Sequence, residues 1–114
     1  MRAGNLDRRV KILRRKLEHD GLQQVETWEV LGTRSASRMP VAGGERADTD
    51  RRKSFPRYSL WLRIDGLTRA ITSADAVGIG GQIYELLQPP LEIERSRRQG
   101  IELLVEGTGE PVPA

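Results

Sequence analysis

The sequence predicts a mainly β protein: a small antiparallel six-stranded β-barrel or sandwich with one long polar loop at residues 42–57 and at most a short helix. Three observations support this fold class. Apolar and polar residues alternate with the two-residue period of a strand in several segments. Turn dipeptides that contain glycine separate these segments. Helical periodicity persists nowhere for more than about two turns, and residues 44–52 and 92–98 are the best helix candidates.

The first predicted hairpin begins with alternating basic and aliphatic residues at 9–12. Val10 and Ile12 are expected to face inward because they share one side of a strand. Leu13 breaks this alternation, which predicts either a β-bulge or a contact with a neighbour. Asp20-Gly21 then predicts a turn, since glycine accepts the positive φ that hairpin turns require.

The second strand returns through residues 25–31 and is expected to bend at the small and polar residues 32–39 into another part of the sheet. Bends of this kind close small barrels. Pro40 is expected to end its pairing, because proline has no N–H to donate.

The third strand, at residues 58–65, has the cleanest alternation in the chain, with Trp61 on its polar face. A large aromatic residue in this position is interpreted in two ways. Trp61 is either an exposed anchor for an interface or a residue that contacts the long loop.

The remaining elements follow a turn at Asp65-Gly66. Residues 67–73 have mixed character and predict an irregular link, and residues 76–87 predict a hairpin with Gly80-Gly81 at its tip. The polar segment 92–99 precedes the last strand at 101–106. Residues 107–114 contain two glycines and two prolines and predict a flexible C-terminal tail beyond a single domain at 1–106.

The long loop at residues 42–57 is the most distinctive segment. Phe55 is its only large apolar residue, beside five Lys/Arg and three acidic residues. Such a segment buries too little apolar surface to offset its ordering entropy, so alone it is expected to be mobile. It is either a solvated loop without a role or a segment that becomes ordered against a partner chain or nucleic acid. Its candidate contact residues are Arg46, Asp48, Asp50, Arg51, Arg52 and Lys53.

Composition limits the function classes. A chain of 114 residues fits one domain, and a hydrophobic fraction of 37% with 4% aromatic residues predicts a thin core that neighbouring subunits would help to stabilise. The net charge of +3 comes from mixed charges and is low for a dedicated DNA-binding protein. Basic clusters at 8–16, 51–53 and 95–98 offer phosphate contacts that would be sensitive to salt and blind to base sequence.

The residue types in the sequence do not predict a catalytic site. There is no cysteine, and the one histidine, His19, lies beside a predicted turn. Asp48-Thr49-Asp50 lacks the spacing of a calcium loop, and the glycines at 78–81 precede a strand rather than a helix. We therefore expect no catalytic, cofactor or metal site. No apolar run has the length of a membrane helix, and the charged N-terminal residues lack the apolar core of a secretory signal.

The order of these features resembles the bacteriophage head–tail joining family, whose members include head–tail adaptors and stoppers. Residues 1–12 are similar to the opening of the family's first strand, and Asp20-Gly21 followed by Trp28 is similar to its first hairpin. The other matching segments are Met39-Pro40 with Gly43-Gly44-Glu45, the hairpin at 77–86, Arg97-Arg98 and the strand at 101–104. The resemblance covers about residues 1–106 and departs from the family in residues 67–73 and in the basic loop.

The resemblance implies a structural, non-enzymatic β-barrel subunit of a homo-oligomeric ring at the virion neck, made in the cytoplasm of a bacterial host. Implied partners are portal and adaptor proteins on the head side, a tail terminator or tail tube protein on the tail side, and packaged double-stranded DNA through non-specific contacts. In such relatives the long loop projects toward the central channel or onto neighbouring subunits. Two alternatives stay open: a tail-terminator-like ring protein and a monomeric nucleic-acid-binding β-barrel.

Overall fold

Seven strands and one short helix make up the fold in a computed structural model, which describes residues 8–41, 55–95 and 98–112. The strands are β1 (Arg8–Asp20), β2 (Gln23–Pro40), β3 (Arg57–Arg63), β4 (Ala76–Ile79), β5 (Gln82–Leu86), β6 (Leu91–Arg95) and β7 (Arg98–Pro111). The helix α1 (Gly66–Arg69) lies between β3 and β4. The mainly β prediction is confirmed, although the predicted strand number of six is one too few.

All the strands belong to one antiparallel sheet whose pairings form a ring. The order is β3-β2-β1-β4-β5-β7-β6, and β3 also pairs with β7. Six strands therefore follow one another in a closed circle, and within the described residues β6 joins that circle through β7 only. This ring-like bonding is not a regular barrel, yet it leaves few strand edges without a partner around the body.

The predicted hairpins are confirmed, and positive-φ glycines explain their turns. Gly21 has φ +70°, and the tip of the β4–β5 hairpin carries Gly80 at +59° and Gly81 at +84°. Pro40 forms the last pair between β2 and β3, opposite Tyr58, as its missing N–H predicts. Glycine at these turns avoids the steric penalty that a side chain meets at positive φ.

A β-bulge in β1 divides the buried residues into two clusters. The register between β1 and β2 shifts between Ile12 and Leu13, which confirms the irregularity expected at Leu13. Ile12 packs into the main core, and Leu13 packs with Ala76 and Ile83 in a second, smaller cluster. The main core also contains Val10, Ala36, Leu60, Leu62, Ile71, Val77, Ile79, Tyr84, Ile101, Leu103 and Val105.

Two segments differ from the sequence-based expectations near the end of the chain. The helix candidate at 92–98 is wrong, because Leu91–Arg95 forms β6 and pairs with β7. Leu91 and Ile93 alternate with Glu92 and Glu94, so the strand period was present, but the high charge of the segment obscured it. The last strand continues to Pro111, so the tail expected from residue 107 is in fact part of β7 as far as residue 111. The other helix candidate, 44–52, lies outside the described residues.

A single helical turn replaces part of the predicted irregular link. The Asp65 carboxylate accepts a hydrogen bond from the Thr68 backbone amide at 2.9 Å, and the Thr68 hydroxyl accepts one from the Asp65 amide at 2.8 Å. This reciprocal pair is a capping box, and it satisfies amides that the start of a helix leaves free. The hydrogen bond from Thr68, together with one from Arg34, lowers the pKa of Asp65 despite partial burial.

Trp61 is buried, so the expectation of an exposed side chain on the polar face of β3 is wrong. Only 6% of the residue is exposed, and its indole ring lies over Gly100 of β7. A Cβ atom at Gly100 would lie 2.2 Å from the Trp61 ring, well inside contact distance. Glycine at position 100 therefore creates the space that the ring fills. A role for Trp61 as an interface anchor stays a prediction.

We predict that Gly100→Ala lowers the free energy of unfolding by about 1–3 kcal/mol, because the added methyl group displaces a buried ring. Urea unfolding of the purified protein measures this change. Gly66→Ala is the matched control, since a Cβ atom there meets nothing within 4 Å. Its effect is expected to stay below about 1 kcal/mol, in the stabilising direction. Equal effects of both substitutions would contradict the packing of Trp61 on Gly100.

Candidate assembly surface

The far half of the β1–β2 hairpin extends beyond the ring of strands. We call residues 14–31 the distal ribbon. β1 pairs with β4 only at residues 11–13, and β2 pairs with β3 only at residues 36–40. Among the described residues, the distal ribbon therefore has no third strand on either edge. An isolated two-stranded ribbon is marginally stable in water, so this arrangement favours a partner.

Apolar side chains on the distal ribbon face solvent. Leu17 on β1 is 60% exposed, Leu22 at the turn is fully exposed, and Val25 on β2 is 38% exposed. A single exposed leucine is ordinary on a protein surface. Together with Val30, which is also exposed, these residues mark the distal ribbon as a surface that another chain would cover.

An ion pair between the half-exposed Arg14 and the buried Asp75 fixes the base of the distal ribbon. Two nitrogens of the Arg14 guanidinium donate to the two oxygens of Asp75, each at 3.0 Å, and Arg14 also donates to the Ala70 carbonyl at 3.0 Å. The Thr72 amide donates to Asp75 at 2.9 Å. The side chain of Asp75 is 2% exposed and that of Arg14 is 41% exposed. These hydrogen bonds therefore fix the position of the distal ribbon relative to the body at Arg14.

The ionisation of Asp75 reflects two opposing effects. Burial alone would raise the pKa of this carboxyl group, but the hydrogen bonds from Arg14 and Thr72 more than compensate, so the pKa is lowered. Asp75 is thus a carboxylate near neutral pH, and its charge is matched by the guanidinium of Arg14. The same contact raises the pKa of Arg14.

A second set of contacts supports the opposite face of the ribbon base. The Arg15 guanidinium lies 4.6 Å from the centre of the Trp28 ring, within the range of a cation–π contact. It also lies 3.1 Å from a Glu26 oxygen and 3.7 Å from a Glu85 oxygen of β5. Trp28 in turn packs against the small cluster around Leu13. Exposed ion pairs of this type contribute little stability, so the aromatic contact is the main support.

The segment that leads out of the long loop is also fixed. The Val41 amide donates to the Arg57 carbonyl at 3.0 Å, and the Gly107 amide donates to the Pro56 carbonyl at 3.0 Å. A Cβ atom at Gly109, which has φ +84°, would lie 3.3 Å from the Phe55 ring. The predicted contact residues Arg46, Asp48, Asp50, Arg51, Arg52 and Lys53 lie outside the described residues. Their role therefore stays a prediction.

Sequence reasoning did not identify Arg14 and Asp75 as partners, although one signal was available. Asp75 is the only charged residue between Arg69 and Glu85, and it directly precedes the apolar strand β4. A lone carboxylate in such a place requires a partner, because burial of an unpaired charge is costly. The partner itself could not be found from sequence, since Arg14 is one of three consecutive basic residues.

The described part of the chain contains no group of three or more His, Cys, Asp or Glu residues that could hold a metal ion. His19 is exposed near the end of the distal ribbon. In those same residues no helix has the length and apolar character needed to cross a membrane.

The fold and this surface define a class: a small all-β subunit with a closed body and an unaccompanied, partly apolar ribbon, suited to assembly with other chains. The chain belongs to the phage head completion protein family, whose model matches residues 1–107. It is accordingly a structural component of the virion, and the resemblance to the head–tail joining family is confirmed.

Two solved structures have the same fold. The solution structure of protein SF1141 from Shigella flexneri 2a is 22% identical over 96% of this chain and 99% of that chain, with a TM-score of 0.66. A chain in the virion of a native gene transfer agent particle is 18% identical over 95% of this chain and 96% of that chain, with a TM-score of 0.63. Such low identities establish a common fold alone. No curated protein matches the sequence.

We predict that Asp75→Asn lowers the free energy of unfolding by about 1.5–3 kcal/mol at pH 7, because hydrogen bonds to a charged group are lost. The folded-state pKa of Asp75 lies below the ordinary value of 3.8. Its contribution is therefore complete above that value and disappears as the pH falls through the lower, folded-state pKa. Urea unfolding at a series of pH values measures this difference.

The control for Asp75→Asn is Glu92→Gln, which removes an exposed carboxylate 3.8 Å from Arg69. This substitution is expected to change stability by less than about 0.5 kcal/mol at any pH. A stability difference between wild type and Asp75→Asn that stays constant down to strongly acidic pH would contradict the ionised pair.

Proposed function

We propose that this protein is a subunit of a homo-oligomeric ring at the virion neck. The ring would join the portal and adaptor of a DNA-filled head to the tail, help to retain the packaged DNA and form part of its exit channel. Family membership supports a head completion role. The observation that carries the ring assignment is the distal ribbon, whose two edges and exposed Leu17 and Leu22 have no cover within the described part of the chain.

The charge of the chain is consistent with a channel for DNA. Its 19 Lys/Arg and 16 Asp/Glu residues give a net charge of only +3. A uniformly basic channel wall would bind the phosphate backbone strongly and hold DNA that must later leave. Mixed charge permits contact with DNA without strong retention.

The long loop is proposed as the element that contacts DNA or neighbouring subunits. The residues proposed to make these contacts are Arg46, Asp48, Asp50, Arg51, Arg52 and Lys53. The backbone hydrogen bonds at Val41 and Gly107 hold the flanking segments on the body. A loop that is anchored at its base and poor in apolar residues can change conformation at little cost to the body.

Removal of the gene tests the proposed function directly. Particles assembled without this protein are expected to have filled heads that lose their DNA and lack a ring between head and tail, as seen by electron microscopy. Particles with the wild-type chain should show a ring of its copies at the neck. Normal necks and normal DNA retention without the protein would overturn the proposal. A monomeric chain with steeply salt-dependent DNA affinity would instead indicate a nucleic-acid-binding module.

We predict that replacement of residues 47–53 by a short Gly/Ser link leaves the thermal unfolding temperature nearly unchanged and reduces the yield of DNA-retaining particles. The reason is that these residues contribute charge rather than buried apolar surface. Thermal unfolding measures stability, and nuclease protection of packaged DNA measures retention. The control is the double variant Arg69→Gln and Glu92→Gln, which neutralises an exposed pair on the body and should leave both readouts unchanged. Loss of the fold in the loop variant would contradict this division of roles.

A further inference from the structure

We infer that neighbouring copies of this chain join through the two free edges of the distal ribbon. The outer edge of β1 at residues 14–20 of one copy would pair with the outer edge of β2 at residues 23–31 of the next copy. This inference rests on the proposed ring and names the contact that builds it. The partner on the ribbon is therefore a second copy of the same chain.

Both ribbon edges offer backbone groups for strand pairing. In the described part of the chain, β1 beyond Leu13 pairs only with β2, and β2 before Ala36 pairs only with β1. A row of unpaired N–H and C=O groups is a template for a strand from another molecule. Addition of such a strand gives affinity through main-chain hydrogen bonds.

The charges on the two edges are complementary. The β1 edge at residues 14–20 has three basic and two acidic residues, and its basic ones are consecutive at 14–16. Arg15 and Lys16 are about half exposed, and within the chain they lie 3.1 Å from Glu26 and 3.6 Å from Glu18. The facing part of β2, residues 23–31, contains Glu26 and Glu29 and no Lys or Arg. Opposite charges across paired strands are favourable and like charges are unfavourable. A β1 edge is therefore attracted to a β2 edge, and two β2 edges repel each other.

This pairing is of the kind that builds rings, because the two surfaces that meet are different and every copy can bind two neighbours. Each copy offers one β1 edge and one β2 edge, so every copy binds a neighbour on each side. A contact between unlike surfaces continues until the rotation closes. A two-fold contact between two β1 edges, centred on Leu17, would also place Lys16 opposite Glu18. It would stop at two copies, however, and leave every acidic β2 edge uncovered.

The register between copies follows from the symmetry of a ring. All copies in a ring lie at the same height along the ring axis. If the ribbon runs parallel to that axis, the register between two chains is therefore the same as the register within one chain, where Lys16 lies opposite Thr27. A tilted ribbon shifts that register along the strand. Side chains on one face then meet in steps of two residues, so Val25 and Glu29 are the alternative partners of Lys16.

Disulfide formation between two single-cysteine variants tests the inference, since the natural chain contains no cysteine. Lys16→Cys is produced together with Val25→Cys, Thr27→Cys or Glu29→Cys in cells that assemble complete particles. Leu17→Cys alone tests the two-fold contact. Thermal unfolding verifies that each variant is folded, and non-reducing gels of purified particles detect linked dimers.

One of the three mixtures is expected to give linked dimers at least about tenfold above either variant alone, because side chains opposite each other on paired strands approach within disulfide range. Dimers from Leu17→Cys alone would overturn the head-to-tail contact in favour of a two-fold one. Rings visible at the neck without links in any mixture would overturn this inference and leave the proposed ring intact. Necks without a ring of this chain would contradict the proposed function and therefore also the proposed contact between copies.

Discussion

The pairing of β7 on both of its edges is the constraint on which the rest of the structure depends. One edge of β7 pairs with β3, and the other pairs with β5 and β6. The pairing of β7 with both β5 and β3 closes the ring of backbone hydrogen bonds. Because buried backbone groups must be hydrogen-bonded, this closure permits a stable body despite few aromatic residues.

Closure of the body explains why the distal ribbon is distinctive. Most strands of the circle have partners on both sides, and among the described residues the longest stretch without a third strand on either edge is residues 14–31. The Arg14–Asp75 pair and the contact of Arg15 with Trp28 hold the distal ribbon at a defined position on the body. A fixed base and edges without a third strand suit a subunit that binds its partners during particle assembly.

Much of the body could be predicted from the sequence, because alternation, glycine turns and Pro40 act locally. Alternation also located the bulge, since Leu13 interrupts the period at the residue where the register shifts. The failures depend on distant contacts. Trp61 occupies space that Gly100 leaves on another strand, and the pairing of β5 with β7 extends the last strand past the residues expected to be loose. Neither relation is visible in a local pattern.

The bulge between Ile12 and Leu13 has an evolutionary consequence. Beyond the bulge, the described contacts of the hairpin with the body are those at its base, made by Arg14, Arg15 and Trp28, and the rest of the hairpin is held by its own cross-strand pairs. Equal numbers of residues can therefore be gained or lost from both strands beyond the base contacts, two at a time, without moving any core residue to the wrong face. The length of the distal ribbon can thus change without a change in the stability of the body, and related proteins can have longer or shorter ribbons on the same body.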